Sequence, residues 1–289
     1  MPVSSGMRSQ ATEKTMSGKL RIDVAMVQRD LAQSRQKAQA LIMSGVVYIK
    51  EQKVLKPSEK VSDDDVILVR EQKTHPYASR GGLKLEKALD VFGLDVSGMT
   101  ALDIGAATGG FTDVLLQNGT KHVYAVDVGY GQLDLKIRED SRVTVLERTN
   151  ARYLTAEQIG GCVPDLTVMD VSFISVKLIL PTAAELMQNE GIFCILIKPQ
   201  FEAGRENVGK HGVVRDSTVR ISVICDIRDF AANMWYTMSK LDFSPVKGPA
   251  GNIEYLALLV PAGRNALPIP DAGIETVVSE SENRLSCNE

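Results

Sequence analysis

Between residues 100 and 260, short apolar runs alternate with longer amphipathic stretches, and this alternation limits the possible folds more than anything else in the sequence. The runs Thr100–Ile104, His122–Asp127, Val143–Glu147, Leu166–Asp170, Ile192–Lys198, Ser244–Lys247 and Ile253–Val260 have strand length. Helical patterns occupy 83–92, 111–118, 133–139, 175–188 and 216–239. Runs such as Cys194-Ile195-Leu196-Ile197 are apolar at successive positions, which requires burial on both faces. Parallel strands need crossover connections, and the helical patterns between the runs supply them. The prediction is an α/β fold with a mostly parallel sheet covered by helices on both sides. No apolar run approaches the roughly 20 residues of a membrane helix.

A second, smaller unit precedes this one. Arg21–Asp30 reads as a short helix with Ile22, Ala25, Met26 and Arg29 on one side, and Ser34 as the N-cap of a helix over Arg35–Met43. Two β-rich runs, Val46–Ile49 and Val66–Val69, follow around a polar stretch. The predicted organisation is a disordered leader over 1–18, a small α+β domain over 19–70, a linker over 71–78, the α/β domain over 79–262 and a flexible tail over 263–289. Charge is divided along the chain. The formal net charge of −3 conceals +1 over residues 1–18, +4 over 19–90 and −8 over the remainder. A basic front on an acidic body suits a module that holds phosphates attached to one that performs chemistry. The four cysteines lack metal-type spacing, and Cys194 reads as a buried free thiol. A reducing cytoplasm fits them, and no metal site is expected.

The strongest local motif is Asp103-Ile104-Gly105-Ala106-Ala107-Thr108-Gly109-Gly110-Phe111, where a strand ends in small residues and a helix begins. Glycines there let the backbone approach a ligand and aim N–H groups at it. The spacing Gly105–Gly109–Gly110 departs from the dinucleotide pattern G-x-G-x-x-G. Asp127, at the end of the next strand, is placed to accept bonds from ribose hydroxyls. Four more charged residues are widely separated in sequence. Asp170 and Lys198 close apolar strands, Lys84 lies on the helix before the first strand, and Glu254 opens the last one. The carboxyl ends of buried parallel strands are where such sheets bind ligands.

Together with Ser79–Glu86, Val126–Gln132, Glu147–Arg152, Asp170–Ser175 and Ile197–Gly209, these residues resemble the TlyA (haemolysin-A-like) family of ribosomal RNA methyltransferases, relatives of the FtsJ-type 2′-O-methyltransferases. The resemblance spans about residues 20–260. It implies a class I, Rossmann-like methyltransferase sheet with an antiparallel last strand, and a front domain like that of ribosomal protein S-four. It also implies methyl transfer from S-adenosylmethionine to a ribose 2′-hydroxyl, that of a cytidine, in ribosomal RNA. Lys84, Asp170, Lys198 and Glu254 then correspond to the FtsJ-type catalytic tetrad. Cofactor contacts are implied for Asp103, Gly105, Ala106, Thr108, Gly109, Gly110, Phe111, Asp127, Val128, Asn150 and Asp170, and RNA contacts for Arg21, Ser34, Arg35, Lys37, Arg80, Phe201 and Arg205. Lys50-Glu51 stands where the family's front domain carries an Asn-Gly turn.

The resemblance makes Lys198 the candidate to take or orient the proton of the attacking hydroxyl, with Asp170 and Glu254 orienting it and Lys84 meeting the developing negative charge. The glycine-rich, charged segment Pro199–Val214 reads either as a flap over the target nucleotide, with Phe201 stacking on a base, or as a plain surface loop. The expected partners are ribosomal RNA or ribosomal subunits, with no membrane, and a monomer is the default state. Two other functions compete with this one: a membrane-active haemolysin-like protein, and a non-catalytic RNA-binding assembly factor that keeps the fold.

Overall fold

A computed structural model of the chain describes residues 19–50, 52–69, 75–264 and 266–286. The leader expected over 1–18, Glu51 of the front turn, Arg70 at the end of the small domain and residues 71–74 of the linker lie outside the described residues. The chain divides into two compact units, 1–74 and 75–289.

The front unit contains β1 (Leu20–Arg21), α1 (Ile22–Gln28), α2 (Arg35–Met43), β2 (Val47–Ile49), β3 (Gln52–Lys53), β4 (Lys60–Val61) and β5 (Ile67–Val69). The helices pack Ile22, Ala25, Met26, Ala38 and Ile42 against Val47, Val54, Val61 and Ile67. Ser34 is the predicted N-cap, its hydroxyl oxygen accepting from the Lys37 N–H at 3.2 Å. β2 pairs antiparallel with both β3 and β5. Ile49 opposite Gln52 leaves a two-residue turn that starts at Lys50 with φ 50°. That left-handed value is one an Asn-Gly turn adopts at its first position. Arg29 lies just past α1, where its guanidinium holds the carbonyls of Asp65 (2.6 Å) and Ser62 (2.9 Å).

The second unit runs α3 (Gly82–Phe92), β6 (Thr100–Ile104), α4 (Gly110–Gln117), β7 (His122–Val126), α5 (Leu135–Arg138), β8 (Val143–Leu146), β9 (Leu166–Met169), α6 (Leu180–Leu186), β10 (Ile192–Ile197), α7 (Pro199–Glu202), α8 (Ser217–Asn233), β11 (Tyr236–Phe243), β12 (Tyr255–Pro261) and α9 (Asp271–Ser286). The strands form one sheet in the order β11-β12-β10-β9-β6-β7-β8. Neighbours from β10 to β8 are parallel, and β12 runs antiparallel between β10 and β11. Successive strand residues face opposite layers. Leu102, Ile104 and Val126 face α6, α8 and α9, whereas Ala101, Val123 and Ala125 face α3, α4 and α5. Strand order reverses between β6 and β9, the switch point at which sheets of this kind bind ligands.

Three expectations are corrected. The helix predicted over 216–239 stops at Asn233, and a strand, β11, takes its place over Tyr236–Phe243 while Ser244–Lys247 is not a strand. Trp235, at φ 61°, makes the turn between them. The tail expected to fray is instead the helix α9, which buries Ile274, Val278, Ser281 and Leu285 at helical spacing. The described part of the linker belongs to the second unit: Tyr77 donates to Glu86 at 2.6 Å, and the Ala78 N–H donates to Asp113 at 2.8 Å.

Candidate active site

Parallel pairing of β6 with β9 and of β9 with β10 sets the residues that leave those strands side by side. Gly105 follows β6 with φ 88°, and a Cβ there would lie 2.6 Å from the carbonyl oxygen of Asp170, which follows β9. Only glycine fits this approach. The turn ends at Gly109 (φ 91°), the N-cap of α4, where a Cβ would come 2.6 Å from Ile137. The glycines read from the motif are thus required by geometry at both ends of the turn.

Two carboxylates serve this turn in opposite ways. Asp127, just past β7, accepts from the N–H of Ala107 at 2.9 Å and of Gly129 at 2.7 Å, so it fixes the loop while remaining partly accessible. With Ala106, Ala107, Gly129, Leu133 and Glu147 it lines a small concavity beside the turn. Asp103 points from β6 into the layer beneath α4 and is fully buried. One of its oxygens accepts from Thr112 Oγ1 at 2.6 Å, and the other, Oδ1, has no hydrogen-bond partner among the described residues. Burial without a cation pushes the Asp103 carboxyl up to about 7, the Thr112 bond opposing the shift.

Four charged residues, spread over 170 positions, meet at the carboxyl end of the sheet. Lys84 Nζ lies 2.7 Å from Glu254 Oε2 and 3.2 Å from Asp170 Oδ2, and Lys198 Nζ lies 2.5 Å from Asp170 Oδ1. Lys198 also donates to Ser172 Oγ at 2.9 Å. Lys84, Lys198 and Glu254 are 8%, 7% and 1% exposed, so these charges are balanced against one another rather than by water. Burial acts against charge on Lys84, but the Asp170 and Glu254 carboxylates outweigh it and hold its pKa above the ordinary lysine value. Burial likewise opposes ionisation of Asp170, and the two ammonium groups overcome it, holding its pKa below the usual range. Glu254 itself lies in the loop before β12, one residue short of the strand expected to begin with it.

Not every predicted residue joins this site through its side chain. Phe111 is buried in the core under α4, so its side chain is unavailable to a ligand. Val128 is exposed, and Asn150 uses its side-chain oxygen to accept from the Arg152 N–H at 3.1 Å. Arg80 and Arg205 are exposed on the second unit. In the front unit the buried carboxylate of Asp23 binds Arg21 (2.9 Å) and Arg35 (2.9 Å), while Lys37 is exposed. Sequence reasoning missed Ser172, Phe173, Gln132 and Glu147. Phe173 is 91% exposed at φ 66°, and its ring lies 5.1 Å from that of Phe201. A bulky residue in that backbone region costs on the order of 1–3 kcal/mol, which marks the loop as shaped for something other than stability.

Strand order, the reversed β12 and the turn at the switch point define a class I methyltransferase domain. Residues 77–260 match the FtsJ-like methyltransferase family and residues 20–67 the S4 domain. The chain belongs to the TlyA family of FtsJ-like methyltransferases. It is 47% identical over 271 residues to YqxC of Bacillus subtilis, covering 93% of this chain and 96% of the relative. It is 44% identical over 244 residues to the 16S/23S rRNA (cytidine-2′-O)-methyltransferase TlyA of Mycobacterium tuberculosis, covering 84% and 91%. A structure from Streptococcus thermophilus described as a hemolysin superposes with a TM-score of 0.73 at 42% identity, covering 94% of this chain and 99% of the other. No helix among the described residues is long and apolar enough to cross a membrane.

Proposed function

We propose that this enzyme transfers a methyl group from S-adenosylmethionine to the 2′-hydroxyl of a cytidine ribose in ribosomal RNA, acting in the cytoplasm on ribosomal subunits. The observation that carries the reading is the Asp170 carboxylate shared by Lys84 and Lys198 next to the Gly105 turn.

The residues around the turn fit the cofactor. The orphaned, buried Oδ1 of Asp103 suits a cationic group, and Asp127 and Glu147 provide acceptors over the apolar walls of Ala106 and Leu133, as a nucleoside needs. When bound, S-adenosylmethionine supplies a methyl group on a positively charged sulfur, ready for displacement.

The chain's own work is to prepare the hydroxyl. Lys84 stays charged between Asp170 and Glu254, so it cannot be the proton acceptor; it holds the ribose and meets negative charge developing on oxygen. Lys198 is anchored by Asp170 and Ser172 at the end of β10. Its Nζ is the group placed to take or orient the proton of the attacking hydroxyl. The exposed ring of Phe173 and the half-buried ring of Phe201 offer a stacking surface for the base, with Arg80 and Arg205 for phosphates. Arg21, Ser34, Arg35 and Lys37 of the S4 domain supply the remaining RNA contacts, a use that suits their position on the basic part of the chain.

The test is transfer of labelled methyl to isolated ribosomal subunits, followed by mapping of the product. A 2′-O-methylated cytidine supports the reading, and methyl on a base or no transfer refutes it.

A further inference from the structure

Asp170 and Lys198 leave adjacent strands whose last paired residues are Met169 and Ile195, and beyond that point the sheet no longer holds them together. Each is followed by a segment that carries more of the site. Ser172 and Phe173 follow Asp170, and Phe201 follows Lys198 within α7. One residue ties the far ends of both segments. Glu202, the last residue of α7, accepts from Ser175 Oγ at 2.6 Å and from the Val176 N–H at 2.8 Å.

We propose that Glu202 is a positioning residue for methyl transfer, clamping the segment that carries Asp170 and Phe173 to the segment that carries Lys198 and Phe201. Its carboxylate contacts none of the four clustered charges and instead receives two donors from the opposite segment, one of them a backbone N–H. It is largely withdrawn from water, which raises its pKa, and burying a carboxylate costs stability unless its bonds are made. A structural tie alone could use apolar contact. Two directional bonds instead fix the distance and the orientation between segments, which the Lys198–Asp170 and Lys198–Ser172 contacts and the Phe173–Phe201 pair require. The far end of the segment that follows Lys198 is held separately, by Asn252, which accepts from the Val214 N–H at 2.9 Å and donates to the Gly212 carbonyl at 2.8 Å. The Glu202 clamp therefore acts on the reactive end alone.

The inference rests on the proposed role of Lys198, so Lys198→Ala is assayed alongside. In the full-length protein, Glu202→Ala should lower kcat for ribosomal subunits by about tenfold to a hundredfold, the scale of a small misplacement of reacting groups. Its affinity for S-adenosylmethionine, by calorimetry, should be unchanged. Glu202→Gln can make both bonds, its amide oxygen accepting from Val176 and its nitrogen donating to Ser175, and should recover kcat to within about threefold of wild type. Ser175→Ala, which removes one bond of the two, should fall between them and serves if Glu202→Ala does not fold. Unchanged kcat in Glu202→Ala or Ser175→Ala, whatever the unfolding midpoint, overturns the proposal. So does a Glu202→Gln variant as impaired as Glu202→Ala, because the charge and not the tie would then matter. An active Lys198→Ala overturns the reading of the site itself and the clamp with it; an inactive Lys198→Ala beside a fully active Glu202→Ala overturns the clamp alone.

Discussion

Replacing Asp103 by Asn should make the enzyme's stability less sensitive to pH. Asp103 is fully buried, bonded to Thr112 through one oxygen and without a hydrogen-bond partner among the described residues at the other, and its carboxyl is pushed up to about 7. In the unfolded chain the same group titrates near the ordinary aspartate value of about 4. Between those two values the folded protein holds a proton that the unfolded chain has released. The stability contributed by Asp103 is therefore fully present below about pH 4, falls as pH rises, and levels off above about pH 7. Each unit of pKa difference corresponds to about 1.4 kcal/mol, and integrating from pH 5 to pH 8 gives a loss of about 2.5 kcal/mol that Asn cannot show. Asn can still accept from Thr112, and its cost at the orphaned position does not depend on pH. The assay is urea unfolding of both proteins at pH 5 and pH 8. The stability of Asp103→Asn minus that of wild type should rise by about 2.5 kcal/mol between the two, with all other titrating groups cancelling. An unchanged difference would show that Asp103 is ionised in the folded protein and that the buried orphan oxygen finds a cation or water.

Asp127→Ala removes an acceptor that faces the concavity and frees the Ala107 and Gly129 N–H groups, and it should weaken S-adenosylmethionine binding by roughly 1–3 kcal/mol in calorimetry. Unaltered affinity would remove Asp127 from the cofactor site. In the S4 domain, Arg21→Ala with Arg35→Ala should weaken binding to ribosomal RNA at low salt and reduce the slope of log affinity against log salt by about 2, one for each lost phosphate contact. The same slope in the double variant would place the RNA contacts elsewhere.

How much of this was legible in the sequence depended on how local the cause was. The parallel sheet could be read because β10 is apolar at every position and β9 at all but Thr167, a pattern a strand covered on both faces requires. Asp170 and Lys198 stood out because a charge directly after such a run has to be at its end. Lys84 and Glu254 carried no local signal of this kind and stood out only as part of the set of four, their catalytic role coming from family resemblance; the fold brings them together across 170 positions. β11 was hidden twice. Its alternation is interrupted by a bulge between Met238 and Lys240, and its turn from α8 is made by Trp235 in a left-handed conformation that would ordinarily announce itself as glycine. α9 was missed because its buried stripe of Ile274, Val278 and Leu285 is thin and set among acidic residues. Ser172, Phe173 and Glu202 gain their roles from two loops meeting in space, which no spacing along the chain encodes.

Activity of the two lysine variants on isolated ribosomal subunits bears most directly on the central claim, that Lys198 prepares a ribose hydroxyl for methyl transfer. The measurement is single-turnover methylation by wild type, Lys198→Ala and Lys198→Arg at matched cofactor saturation, with the modified nucleotide mapped. Both variants should bind S-adenosylmethionine normally and lose transfer at the mapped 2′-oxygen, because alanine has no nitrogen to offer and guanidinium does not give up its proton at ordinary pH. An active Lys198→Arg would contradict the proton-acceptor role and leave only a positive charge at that position. An active Lys198→Ala would contradict the assignment of the site.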